Sequence, residues 1–246
     1  MMLAGRYVVG PCLGAGTWFT VYKAEDTLTG RLVVAKMLHE ELAESIVVAE
    51  DVLATIEQSV ELKHRNIVMV HDAFAVGGSV WQIDEYIDGR TLFAWLREGL
   101  VTTSAGIIIF RSLLQGVEYA HSKGAVHGCL DPTSIRIAVP ATAKVADFGL
   151  TALDPGLAAA RTRGTLHFYE PYWAPETRAG EGPTAAGDVY TLGTLLEALV
   201  RDNNQRTALQ EIVAQATALH PEVRYQSAAE LRAALDVISI SVDGGS

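Results

Sequence analysis

The sequence predicts an α+β fold of two lobes, one rich in strands and one mainly helical. Short β-rich runs alternate with Gly, Asp and Asn turn signals up to about residue 90, and amphipathic helical periodicity dominates beyond it. Of the 246 residues, 49% are hydrophobic and 20% are charged, which is a globular composition. We expect a strand lobe over 1–87, a helical lobe over 88–240, and a tail or linker over 241–246.

The strand lobe contains five predicted strands and one helix. The helix occupies residues Glu41 to about Leu62, between the third and fourth strands, because apolar residues recur there at helical spacing. The strands are Tyr7–Val9, Thr20–Ala24, Leu32–Met37, Val68–Phe74 and Val80–Tyr86.

The second lobe is predicted to be built from long helices with two short strands. The helices cover about 105–123, 185–201, 206–219 and 227–238, and the strands are Ser134–Ala138 and Ala143–Ala146.

Charge and cysteine content exclude several classes of function. The net charge of −10 disfavours binding to nucleic acid or to an anionic membrane surface, so we expect protein or small-molecule partners. Cys12 and Cys129 are too few for a disulfide framework and fit a reducing compartment. With no secretory signal or long apolar run, we expect a cytoplasmic protein or the cytosolic domain of a membrane protein.

Two features of the strand lobe are typical of phosphate binding. Gly14 and Gly16 lie in a strand-turn-strand where backbone N–H groups can approach a phosphate, although such glycines also form ordinary turns. Lys36 lies on an apolar strand, where a buried ammonium needs an anionic partner unless it reaches solvent. Further segments follow in a fixed order: HRNIV (64–68), EYIDGRTL (85–92), YAHSKGAVHGCLDPTSIRI (119–137), VADFGL (145–150), APE (174–176), DVYTLG (188–193) and PEVRYQSAAEL (221–231).

This series of motifs resembles the Hanks-type Ser/Thr protein kinases of bacteria over nearly the whole chain. The resemblance implies a bilobal kinase-like fold, a hinge around Glu85–Ile87, and nucleotide bound between the lobes. It also implies that Lys36 pairs with a helix glutamate and that Asp147, in an intact DFG motif, holds magnesium.

The catalytic loop departs from the family pattern. Cys129 replaces the aspartate that accepts the substrate proton, and Asp131 replaces the lysine that contacts the γ-phosphate. Ser134 replaces the second metal-binding asparagine, and Gly128 replaces the arginine that reads a phosphorylated activation loop. These positions are predicted to be degenerate.

The strand lobe departs from the pattern less severely. Phe19 replaces the third glycine of the phosphate loop, and Thr55 stands where the helix glutamate is expected. Glu57 lies about 200° around the helix from that position, and Glu50 would need a different loop length, so we expect the usual ion pair to be absent or rewired.

Asp84 occupies the gatekeeper position in the resemblance, where a buried carboxylate requires a partner. We predict an ion pair between Asp84 and Lys36 with charged atoms within about 4 Å, which would hold Lys36 away from phosphates. The alternative is a bond from Asp84 to a nearby backbone N–H or water.

Features that hold the kinase fold are retained. The resemblance implies a buried ion pair between Glu176 and Arg224, and it implies that Asp188 anchors the catalytic loop. The five residues RDNNQ (201–205) leave no room for the substrate-docking helix that follows in relatives, and the segment 164–176 is lengthened.

These departures predict a catalytically inactive pseudokinase that acts as a protein-interaction module and is not an enzyme. Its vestigial nucleotide site would consist of Gly14, Gly16, Lys36, Asp84, Glu85 and Asp147. No cofactor is expected beyond weak ATP or ADP binding, and Asp147 is the one candidate metal ligand. A weak or non-standard ATP-dependent kinase, and a nucleotide-sensing switch, remain as alternatives.

The expected partner is a protein, with no nucleic acid and no membrane contact by this domain. An active kinase and a phosphothreonine-reading FHA protein are the two candidates, by likeness to a pseudokinase domain fused to a peptidoglycan-precursor flippase. Thr151, Thr162 and Thr165 could accept a phosphate, or could be ordinary turn residues.

Overall fold

A computed structural model describes residues 1–16, 18–40, 46–138, 142–150, 170–200 and 206–238. Contacts divide the chain into two units. The first unit consists of Met1–Lys63, Val68–Ile87 and Gly149–Phe168, and the second consists of His64–Ile67, Asp88–Phe148 and Tyr169–Ser246.

The first unit is built on an antiparallel sheet whose strand order is β1-β2-β3-β4-β6-β5. The strands are β1 (Met2–Leu3), β2 (Tyr7–Ala15), β3 (Phe19–Asp26), β4 (Arg31–Leu38), β5 (Val70–Val76) and β6 (Ser79–Glu85). The five predicted strands correspond to β2 to β6. The sequence did not predict β1, because two residues are too few to show an alternating pattern.

One helix, α1 (Ile46–Ser59), packs against this sheet. Its residues Val52 and Ile56 are buried together with Leu38 of β4 and Val80 of β6. The predicted start at Glu41 lies outside the described residues. The helix ends at Ser59, before the predicted end near Leu62, where the chain continues in turns.

The second unit contains the other α-helices of the described residues and a small sheet of order β7-β8-β9. The helices are α2 (Leu92–Arg97), α3 (Thr103–Ser122), α4 (Pro175–Ala179), α5 (Ala185–Leu199), α6 (Arg206–Ala216) and α7 (Ala228–Val237). The strands are β7 (Gly89–Thr91), β8 (Ile135–Ala138) and β9 (Thr142–Val145). The predicted α+β class, with one strand-rich unit and one mainly helical unit, is therefore confirmed, with the short elements α2, α4 and β7 added to the predicted ones.

Side-chain caps fix where four of these helices begin. Thr91, Thr102, Thr184 and Ser227 each accept a hydrogen bond from a backbone N–H in the first turn of α2, α3, α5 and α7. Each cap satisfies a donor that has no partner within its helix.

Helix α3 lies at the centre of the second unit and contacts β9, α5 and α7. Gly116 of this helix permits the close approach of Asn66, because a Cβ there would lie 2.8 Å from the carbonyl oxygen of Asn66. The buried residues Phe110, Leu113 and Val117 form its apolar face.

Several predictions fall outside the described residues. They concern the segment 201–205 in place of a docking helix, the tail 241–246, residues 164–169 of the lengthened segment 164–176, and Thr151, Thr162 and Thr165. In the described part of the chain, no helix has the length and apolar character needed to cross a membrane.

Candidate functional site

The glycine-rich turn joins β2 to β3 in the first unit. Gly14 has φ +151°, a backbone conformation that side-chain-bearing residues rarely adopt, and the register of β2 against β3 shifts beside it. The N–H of Gly16 donates to the carbonyl of Phe19 at 2.8 Å, and Nε2 of His39 lies 2.9 Å from the carbonyl oxygen of Gly16. His39 therefore braces this turn, and no sequence pattern had marked it.

Aromatic residues at the start of β3 are part of the apolar core. Trp18 is 5% exposed and Phe19 is 3% exposed, and both pack in the cluster that contains Leu38. The phenylalanine that replaces the third glycine of the family pattern thus contributes to packing of the first unit.

Lys36 of β4 forms an ion pair with Asp84 of β6. The Nζ atom of Lys36 lies 2.6 Å from Oδ2 of Asp84, and the two side chains are 9% and 2% exposed. Gln82, two residues before Asp84 and 3% exposed, donates from Nε2 to Oδ1 of Asp84 at 2.7 Å. The predicted ion pair is confirmed, and its alternative of a backbone or water partner alone is not what the structure has.

The register of the sheet explains this pair. Lys36 lies directly opposite Gln82, and Val34 lies opposite Asp84, so Lys36 and Asp84 are diagonal neighbours on adjacent strands. Residues two apart on a strand face the same side, which places Gln82, Asp84 and Lys36 on one face.

Helix α1 does not supply a buried carboxylate at the positions that the sequence analysis considered. Glu50 and Glu57 are exposed. Thr55 is half-buried, and its methyl group lies 3.0 Å from the position that a Cβ on Gly149 would take. The expectation of a rewired ion pair is therefore confirmed, because Lys36 pairs with Asp84 on strand β6.

Glu85 ends β6, and its bonds tie it to the residue before β5. Its N–H donates to the carbonyl of Met69 at 2.9 Å, and its Oε1 accepts from the N–H of Met69 at 2.8 Å.

The catalytic loop of the second unit is anchored by Asp188 of α5. The carboxylate of Asp188 accepts from the N–H groups of His127 and Gly128 at 2.8 and 2.7 Å, and it lies 2.9 Å from Nε2 of His121. The anchoring role predicted for Asp188 is confirmed. Gly128 has φ +81°, so its lack of a Cβ avoids strain at this turn.

All four substituted catalytic-loop positions are buried, Gly128 among them. Cys129, Asp131 and Ser134 are 7%, 5% and 8% exposed. Oδ1 of Asp131 accepts from the N–H and the hydroxyl of Thr133, both at 2.6 Å, and the Ser134 hydroxyl donates to the carbonyl of Asp131 at 2.9 Å. Burial raises the pKa of the Asp131 carboxyl, against the opposing effect of the bonds from Thr133 and the nearby charge of His127.

The DFG motif keeps a distinctive backbone. Asp147 has φ +65°, one of two residues other than glycine with positive φ in the described chain, and Gly149 has φ +80°. Phe148 is 3% exposed and its ring lies 4.9 Å from that of His127, whose Nε2 is 2.8 Å from the carbonyl oxygen of Ala146. The half-buried carboxylate of Asp147 is thus held by a packed turn.

Asp147 could bind magnesium together with substrate phosphates, a mode that needs fewer side-chain ligands than a metal site built from the protein alone. Across the described ranges, no group of three or more His, Cys, Asp or Glu residues could hold a metal ion. Magnesium is usually bound by one or two carboxylates together with substrate phosphates, and the oxygen ligands of Asp147 suit that mode.

Arg224 and Glu176 form the predicted buried ion pair. The Arg224 nitrogens lie 2.6 and 2.9 Å from the two oxygens of Glu176, and the arginine side chain is fully buried. Arg224 also donates to the carbonyls of Ala218, Ala186 and Leu219. Burial tends to raise the pKa of Glu176, but the bonds from Arg224 outweigh it and lower that pKa overall.

Residues 7–233 match the protein kinase domain family, so the chain belongs to that family. It is 30% identical over 265 residues to a serine/threonine-protein kinase of Streptomyces coelicolor, covering 94% of this chain and 39% of the relative. It is 32% identical over 204 residues to CBL-interacting protein kinase 30 of rice, covering 81% of this chain and 42% of that relative. The chain thus spans about two fifths of the length of these relatives.

The fold is similar to that of solved kinase domains. The PknI kinase domain of Mycobacterium tuberculosis superposes with a TM-score of 0.76 at 20% identity, covering 96% of this chain and 97% of that chain. A single-substitution variant of the same domain gives a TM-score of 0.77 at 21% identity, covering 96% and 99%.

The prediction that the chain is not an enzyme is wrong. The protein kinase domain is present, and the relatives carry the names of protein kinases, which point to an enzyme. The prediction took the replacements at Cys129, Asp131 and Ser134 together as loss of the reaction, whereas phosphoryl transfer depends mainly on positioning and electrostatics.

Proposed function

We propose that the chain is a non-standard ATP-dependent Ser/Thr protein kinase with slow phosphoryl transfer. The observation that carries the proposal is the conformation of Asp147 within an intact DFG motif. A left-handed backbone at a residue other than glycine costs about 1 kcal/mol or more and persists only where surrounding structure enforces it. Such strain at a carboxylate is typical of a functional position.

The roles of the retained residues follow from the family. Lys36 would bind the phosphates of ATP as a cation, and the glycine-rich turn braced by His39 would offer backbone N–H groups to them. Asp147 would hold magnesium, which neutralises charge on the transferred phosphate when bound.

Replacement of the catalytic base explains why transfer would be slow. Cys129 is a buried thiol, a poor proton acceptor compared with a carboxylate. General base catalysis contributes about 10²- to 10⁴-fold, so its loss slows the reaction without removing the contribution of positioned charges. The buried hydroxyl of Ser134 is bonded to the main chain of Asp131, so Asp147 carries most of the proposed metal binding.

Transfer of radiolabelled γ-phosphate from ATP to the protein itself and to a generic protein substrate tests this proposal. We expect slow, magnesium-dependent labelling of Ser or Thr that is lost in Asp147→Ala and in Lys36→Met. Asp51→Asn, which neutralises an exposed carboxylate on α1, is the matched control and should label like the wild type.

The proposal is contradicted if labelling of the wild type does not exceed that of Asp147→Ala. Binding of ATP without transfer, measured by isothermal titration, would instead indicate a nucleotide-sensing switch. A protein substrate is proposed because the relatives are named protein kinases.

A further inference from the structure

The carboxylate that contacts Lys36 belongs to a strand. Asp84 and Lys36 lie on adjacent strands of one sheet, and their charged atoms are 2.6 Å apart in a buried environment. Gln82 donates a hydrogen bond to the other carboxylate oxygen of Asp84, so a neighbour on the same strand fixes the orientation of the carboxylate. In protein kinases the phosphate-binding lysine is oriented by its ion pair with a carboxylate.

We propose that Asp84, held by Gln82, is the positioning residue that orients Lys36 for ATP, in place of a glutamate on α1. This inference rests on the proposed kinase function. An ammonium group has three N–H donors, so an ion pair with one carboxylate oxygen is compatible with further bonds to phosphate oxygens. On this proposal the pair orients the lysine, contrary to the expectation that it holds Lys36 away from phosphates.

The carboxylate that pairs with Lys36 lies on a strand and not on a helix, which changes how a kinase of this kind can be regulated. A glutamate on a helix reaches the lysine only while that helix is correctly placed, so helix movement can switch a kinase on and off. Strands β4 and β6 are hydrogen-bonded neighbours, so Asp84 and Lys36 stay together wherever α1 lies. The lysine of this chain is therefore oriented at all times, and displacement of α1 does not disconnect it.

Steady-state kinetics of two variants, followed together with their melting temperatures, test the positioning role. Asp84→Asn removes the charge that orients Lys36, and we expect kcat/KM for ATP to fall about tenfold or more. Gln82→Met keeps both charges but releases the second carboxylate oxygen, so we expect a smaller loss of kcat/KM with the same sign. Asp51→Asn is the control for removal of one negative charge from the first unit.

A third variant separates orientation from structural support. Thr55→Glu in the Asp84→Asn background returns a carboxylate to the position where relatives carry one, and we expect it to recover part of the lost kcat/KM.

The inference alone is overturned if the wild type transfers phosphate and both Asp84→Asn and Gln82→Met keep its kcat/KM for ATP. It is also overturned if Asp84→Asn lowers only the melting temperature. A wild type that neither binds ATP nor transfers phosphate overturns the proposed kinase function, and this inference with it.

Discussion

Removing one charge of the buried Lys36–Asp84 pair should lower the free energy of unfolding more than removing both charges. At 2.6 Å, and with an effective dielectric constant of about 20, the attraction between the two charges is about 6 kcal/mol. Taking each ion out of water costs several kcal/mol, so the intact pair contributes little net free energy of unfolding. Asp84→Leu leaves the lysine charge buried without this carboxylate, which costs about 3 to 5 kcal/mol.

The coupling between the two charges is measured by a double-mutant cycle. It compares the melting temperatures of four proteins: the wild type, Lys36→Met, Asp84→Leu, and the double variant. For a chain of 246 residues, 3 to 5 kcal/mol corresponds to a decrease in melting temperature of about 6 to 20 °C. We expect such a decrease in each single variant and a change of about 3 °C or less in the double variant, because Met and Leu fill the site without charge. A double variant that melts below both single variants, with a decrease of about the sum of their two decreases, would contradict this expectation, because the two charges would then not be coupled.

Three other perturbations test the site. The pKa of Asp131 is raised above its ordinary value of 3.8, so folding favours the protonated carboxyl. The free energy of unfolding of the wild type should therefore fall as pH rises through that raised pKa. Urea unfolding between about pH 4 and 8 measures this fall, which Asp131→Asn should abolish. His39→Ala removes the brace on Gly16 and should weaken ATP binding in calorimetry, whereas His39→Gln, which can still donate to that carbonyl, should weaken it less. Arg224→Leu leaves the Glu176 carboxylate buried without its cation and should cost about 3 to 5 kcal/mol, seen as a lower melting temperature; a change below about 2 °C would contradict this.

The sequence allowed much of the fold to be predicted, because long elements carry a repeating pattern. Strands β2 to β6 and helix α3 show clear periodicity, whereas β1 and the short helix α4 contain too few residues to show one. Helix ends such as that of α1 depend on local backbone bonds that periodicity does not report.

The part of the site that could be predicted is the one in which a buried charge requires a partner of opposite charge. Asp84 and Lys36 were each costly to bury alone, so pairing them followed from two independent signals. The brace formed by His39 could not be predicted, since a single histidine after a strand has no characteristic pattern. The inference of inactivity from Cys129, Asp131 and Ser134 together was wrong, because the protein kinase domain is present and the relatives are named protein kinases, which point to an enzyme.

Single-turnover reaction of excess protein with ATP and magnesium tests the proposed kinase activity, because the ADP formed and the phosphate transferred can be counted together. We expect slow formation of ADP matched one to one by phosphoserine or phosphothreonine, and neither product in Asp147→Ala. ADP formed without phosphoprotein, or no ADP above that of Asp147→Ala, would contradict the claim that this chain is a protein kinase.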